Sequence, residues 1–180
     1  QLYYPYETYV AEKWSQEKNL PGLGITEEMA DSAYTIVCED NVTTLGLCLN
    51  GYGGYLSVTG MNTTASSVKV PYSVTIDDKV YGIREFGNPY NDKFDWTGSQ
   101  SVTSLNLEML DVVRLDMEGS KITDLYVSDP EIINYNVVGD VYLHIPYNFS
   151  RSKYYGMGFK RVLIGDEQPS YPESGLDNAW

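Results

Sequence analysis

The feature that most constrains the fold is a ten-residue repeat between residues 102 and 145. Val102-x-x-Leu105-x-Leu107 recurs as Val112-x-x-Leu115-x-Met117, Ile122-x-x-Leu125-x-Val127 and Ile132-x-x-Tyr135-x-Val137. Leu143-x-Ile145 follows slightly early, and Phe159-x-x-Val162-x-Ile164 closes the series after a longer insertion. Apolar residues two apart mark a strand whose alternate side chains enter a core. A strand of about five residues spans roughly 17 Å, which leaves about five residues for the return. That is too short to circle a core. Two units together are long enough to close one coil, with alternate units on opposite walls. The competing arrangement is an antiparallel meander, in which each unit is one strand and a turn.

Upstream, shorter β-type runs continue the pattern. Tyr34–Cys38 and Thr43–Leu49 flank Glu39-Asp40-Asn41, a hairpin turn by composition. Asn50-Gly-Tyr-Gly-Gly-Tyr55 reads as another turn, because Gly supplies positive-φ positions. Leu56–Thr59, Ser67–Val70, Val74–Ile76 and Val80–Ile83 read as strands, with Asp77-Asp78-Lys79 turning between the last two. Before residue 34 the period differs. Thr8 is placed to cap a short helix carrying Val10 and Trp14, which Pro21-Gly22 would stop, and Thr26-Glu27-Glu28 offers a second helical turn.

Residues 66–87, with Val68-Lys-Val70-Pro71, the Asp77-Asp78-Lys79 turn and Phe86-Gly87, resemble the opening segment of the BspA-type leucine-rich-repeat family. That segment has a V-x-I-P strand, a short turn and a second strand ending in Ile-Gly. Residues 143–164, from Leu143-His-Ile-Pro146 through a short helical turn to Val162-Leu-Ile164, look like its closing unit. The family's Ala-Phe dipeptide and recurrent convex-turn Cys are absent, and Asn88–Trp96 stands in their place. A coil of about twenty residues also matches the lower end of the leucine-rich-repeat period. The expected fold is therefore mainly β: a short leucine-rich-repeat-type solenoid with a β-hairpin N-terminal cap and few short helical turns. The resemblance implies a secreted or cell-surface protein of bacterial type, serving adhesion and protein binding rather than catalysis.

Charge divides the chain. The net −13 is spread as −4 over residues 1–33, −5 over residues 34–165 and −4 over residues 166–180. This suggests an acidic, Tyr-rich N-terminal extension, a repeat domain over 34–165 and an acidic C-terminal tail. Such acidity disfavours nucleic acid as a partner, since a phosphate backbone needs a basic counter-surface. A single His disfavours His-rich metal sites and His-centred relays, and no cofactor or metal is expected. No run of about 18 apolar residues occurs, so no transmembrane segment is expected. The start at Gln1 without Met suggests a processed or trimmed chain, and the export that the resemblance implies would place a signal peptide or lipid anchor on a removed N-terminal segment.

Two candidate sites emerge. With a coil of about twenty residues, Ser104, Asn106, Asp124, Tyr126, Tyr142 and His144 share one exposed sheet face. Such faces are recognition surfaces in repeat proteins, and Tyr adds contact area and a hydroxyl at low entropy cost. The expected function is non-enzymatic binding of a protein or host/bacterial surface partner there. An ordinary solvated sheet face fits the same residues. The alternative is a glycan-binding module in which Tyr90, Phe94 and Trp96 stack on sugar rings, though the same side chains would also serve to plug a core. His144, between Leu143 and Ile145, points away from the core with no orienting partner evident in sequence. Asn88, Asn91, Asp92 and Asp95 do not have calcium-loop spacing. Cys38 and Cys48 are open to either a cross-strand disulfide or two free thiols. The basic stretch Arg151, Lys153, Lys160 and Arg161 reads as a solvated cap.

Overall fold

A computed structural model describes residues 33–49, 55–89, 93–147 and 149–168. The helix starts expected at Thr8 and Thr26, together with Tyr90, Asn91 and Asp92, lie outside the described residues. The architecture is mainly β: twelve strands in two sheets, with 3-10 turns at Thr97–Ser99 and Arg151–Tyr154 among the described residues.

The N-terminal strands pair by hairpins. Strand β1 (Ala33–Val37) runs antiparallel to β2 (Thr44–Leu49), which runs antiparallel to β3 (Leu56–Asn62). The β1–β2 turn is held by Asp40, whose Oδ1 accepts from the Val42 and Thr43 amides at 3.0 and 2.8 Å. After β4 (Ser67–Lys69), strands β5 (Ser73–Ile76) and β6 (Lys79–Phe86) form a two-residue hairpin. Its turn residues Asp77 and Asp78 sit at φ 50° and 65°. Both left-handed positions match the primed turn that a tight hairpin requires.

From β6 to β11 the chain alternates between two sheets, and β12 joins the same sheet as β11. Strands β7 (Ser104–Asn106), β9 (Asp124–Tyr126), β11 (Tyr142–Ile145) and β12 (Arg161–Ile164) join β4 in a five-stranded sheet. All its pairs are parallel. Strands β8 (Val112–Asp116) and β10 (Glu131–Asn136) extend the other sheet, parallel to β6. Parallel neighbours need a crossover; those from β4 to β11 pass through the opposite sheet, whereas β11 returns to β12 through the Arg151–Tyr154 turn. The meander alternative therefore does not hold.

One core fills the space between the sheets. In the five-stranded sheet Val68, Leu105, Leu125, Leu143 and Val162 stand side by side in register, all buried. Leu107, Val127 and Ile145 form the next buried row. From the facing sheet come Val58, Phe86, Val113, Leu115 and Met117. One expected core residue fails to enter it. Tyr135 is 48% exposed because β10 shifts register between Ile133 and Asn136, with Asn134 at φ 48°. An extra residue of this kind turns the following side chain out of the pleat.

The basic stretch of the closing segment is only partly a solvated cap. Lys153 Nζ contacts Asp129 Oδ1 at 2.7 Å and Arg151 pairs with Glu167 at 3.1 Å. The buried Tyr154 also donates its hydroxyl to Asp129, at 2.9 Å.

Candidate recognition face

Each short strand of the five-stranded sheet carries one core residue between two that face outward. Register brings the outward residues into two rows. Ser67, Ser104, Asp124, Tyr142 and Arg161 form one, and Lys69, Asn106, Tyr126, His144 and Leu163 the other. All six residues expected on this face are there. Ser67, Lys69, Arg161 and Leu163 extend the rows and were not anticipated. The signal for them was the same register position one strand earlier or later.

The middle of the face is organised around His144. Its Nε2 lies 2.8 Å from Asp124 Oδ1, and its ring stacks on Tyr126 with centroids 4.2 Å apart and planes 12° from parallel. Asp124 Oδ2 also accepts from Thr123 Oγ1 at 3.0 Å. The orienting partner that sequence did not reveal is thus Asp124, on the neighbouring strand. His144 is also buried, at 8% exposure, rather than a surface residue. Beside it Leu163 is buried too, which makes the end of this row apolar.

Asn106 is committed locally: its Nδ2 donates to Glu108 Oε1 at 2.6 Å and its Oδ1 accepts from the Glu108 amide at 3.0 Å. Tyr126 is different. Its ring is fixed by His144, while its hydroxyl has no hydrogen-bond partner among the described residues. Desolvation raises its phenol pKa, helped by the charges of Asp124 and Glu108, so the group stays a neutral donor and acceptor. The face therefore presents one immobilised phenol that feels the negative charges of Asp124 and Glu108. The hydroxyl that bonds to the His144–Asp124 pair, Thr123 Oγ1, donates to Asp124 rather than to the imidazole.

Phe94 and Trp96 are buried rather than presented for stacking on sugars, and Tyr90 lies outside the described residues. Phe94 and Trp96 are 6% and 2% exposed and pack on the fully buried Phe86, with centroids 4.7 Å (Phe86–Phe94) and 4.5 Å (Phe94–Trp96) apart. Trp96 Nε1 donates to the Asp116 carbonyl at 2.8 Å. Three adjacent aromatic rings exclude more water by closing on each other than by facing solvent, so the loop seals the core. Asp95 beside them spends its carboxylate on the Thr97 amide at 3.0 Å and on the Thr97 hydroxyl.

The cysteines are free and sit at opposite ends of the β1–β2 hairpin. Cys48 stands opposite Ala33, whereas the Cys38 amide bonds the Thr43 carbonyl next to the turn. That spacing is too long for a disulfide. Burial raises both thiol pKa values, with further upward pushes from Asp40 on Cys38 and Glu85 on Cys48. Among the described residues, no group of three or more His, Cys, Asp or Glu could hold a metal ion. No described helix is long and apolar enough to cross a membrane. Protein-family models, curated proteins and solved structures all return no match to this chain.

Proposed function

We propose that this chain is an exported, non-enzymatic binding module, built as a short leucine-rich-repeat-type solenoid, that holds a protein partner on its five-stranded sheet face. The coil supports the repeat reading. Neighbouring strands of that sheet pair at offsets of 20, 18 and 19 residues from Ser104 to Asp124, Tyr142 and Arg161. The single observation that carries the binding reading is Tyr126: a ring locked by stacking, with an uncommitted hydroxyl in the field of the Asp124 and Glu108 charges. A rigid phenol gives contact area and a hydrogen bond with little entropy left to lose.

The test leaves His144 alone, because its burial makes its loss a folding defect as well. Ser104→Arg puts a bulky cation on the half-buried row, and Tyr126→Phe removes only the hydroxyl. Binding is measured against a panel of extracellular-matrix and bacterial surface proteins. For a captured partner, Ser104→Arg should weaken affinity by about tenfold or more, and Tyr126→Phe by about 1 kcal/mol, with melting temperature unchanged. A partner held equally by both variants, or a panel with no binder, sinks this assignment.

A further inference from the structure

The two sheets do not end together. In β2 the inward row Leu45, Leu47 and Leu49 is fully buried, but in β1 the inward Tyr34 and Ile36, with Cys38 just beyond, are only half-buried. Ile36 and Cys38 face a cleft of about 850 Å³ whose other wall is β4 with the start of β5. Strand β4 ends the five-stranded sheet there. The Ser66 carbonyl and the Val70 amide bond to β7, so the alternate peptide groups of Ser67 and Lys69 point the other way, into the cleft. They have no backbone partner among the described residues. Exposed apolar side chains gather at the same end: Val37 is 64% exposed and Tyr72 36%, and both line the cleft.

We propose that this cleft receives an extended, basic peptide segment of a partner protein, which adds to β4 as a further strand of the five-stranded sheet. An open strand edge recognises polypeptide backbone through its amides and carbonyls, and pockets for alternate side chains supply specificity. Here the alternate side chains on one face of the added strand would cover Ile36 and Cys38, completing the core beneath β1. Those on the other face would lie beside Lys69, where an uncharged residue fits. Charge selects the occupant. Glu39 and Asp40 line the cleft against one cation, Lys69, in a chain of net charge −13. The chain's own N-terminal 33 residues, at −4, are the wrong sign.

The probe is a synthetic Lys-Val-Thr-Val-Thr-Val-Lys peptide added to the full chain, with two N-methylated forms that block alternate amides in opposite registers. The unmodified peptide should bind and should slow maleimide labelling of Cys38 but not of Cys48, which lies at the far end of the hairpin. One N-methylated form should lose binding by at least about tenfold while the other retains it, since only alternate amides face β4. Glu in place of Lys should weaken binding several-fold. Lys69→Pro, which removes an outward amide that an edge strand can spare, should abolish binding. Equal behaviour of the two N-methylated forms, or protection of Cys48 instead of Cys38, overturns strand addition at β4. Equal affinity for the Glu peptide overturns the basic occupant. So does concentration-dependent dimerisation of the protein alone that Lys69→Pro removes, since the donor strand is then a second copy.

Discussion

At the scale of single residues, burial and pairing decide what a polar side chain is left free to do, and Asp111 is the sharpest case. It is 5% exposed, its Oδ2 accepts from Arg84 Nε at 3.0 Å, and its buried Oδ1 has no partner among the described residues. Burial raises its pKa, and the Arg84 hydrogen bond and charge only partly offset that. A carboxyl with a higher pKa in the folded than in the unfolded chain binds its proton more tightly when folded. Its contribution to stability is greatest at low pH and declines as pH rises from the unfolded value, about 3.9, through the raised folded one. The stability difference between wild type and Asp111→Asn, from urea unfolding at stepped pH, should fall across that window and then level. A flat or rising difference contradicts this account. His144, Phe94 and Trp96 teach the same lesson: a polar or aromatic side chain in a loop or on an outer face is functional only if the fold leaves it something unspent.

At the scale of elements, alternation and turn chemistry explain where the strands start and stop. The six copies of the apolar pattern fall on β7 to β12, but the strands of the two sheets differ in length. Those of the five-stranded sheet are short and flanked by anchors such as Val102 and Ile122, whereas β8 begins at Val112 and carries Val113 into the core. Gly87 marks where β6 meets β8. Its φ is 104°, and a Cβ there would stand 2.5 Å from Arg114 Cβ and 2.8 Å from the Arg114 carbonyl oxygen. Gly87→Ala should therefore destabilise by about 2–4 kcal/mol, combining backbone strain with overpacking. Chemical denaturation checks this, and a loss within about 0.5 kcal/mol means the two strands separate more easily than their packing implies. The end of an apolar strand at this position was legible from Phe86-Gly87. The contact with Arg114 was not, because it depends on a strand 27 residues away.

At the scale of the molecule, one core joins both sheets, so the described residues should unfold as one unit. Leu125→Ala, in the central row of the five-stranded sheet, should cost about 2–5 kcal/mol and shift the whole transition without splitting it. Circular dichroism and tyrosine fluorescence should give coincident curves, and two separated transitions count against a single core. The same architecture leaves its two binding proposals on distinct surfaces: a sheet face near Tyr126 and an open strand edge at β4.

The sequence alone determined that the chain is mainly β, where most of its strands lie, and which six residues share an outer face. These follow from period-two alternation and a fixed spacing, both local properties written in residue order. Only the tertiary structure decided between the coil and the meander, and decided that Tyr135 leaves the core and that Asp124 holds His144. It also decided that Phe94 and Trp96 close on each other and that no other described strand pairs with the outer edge of β4. Each depends on which distant strand supplies the neighbouring surface, and burial and pairing between distant strands are set by three-dimensional packing rather than by spacing along the chain.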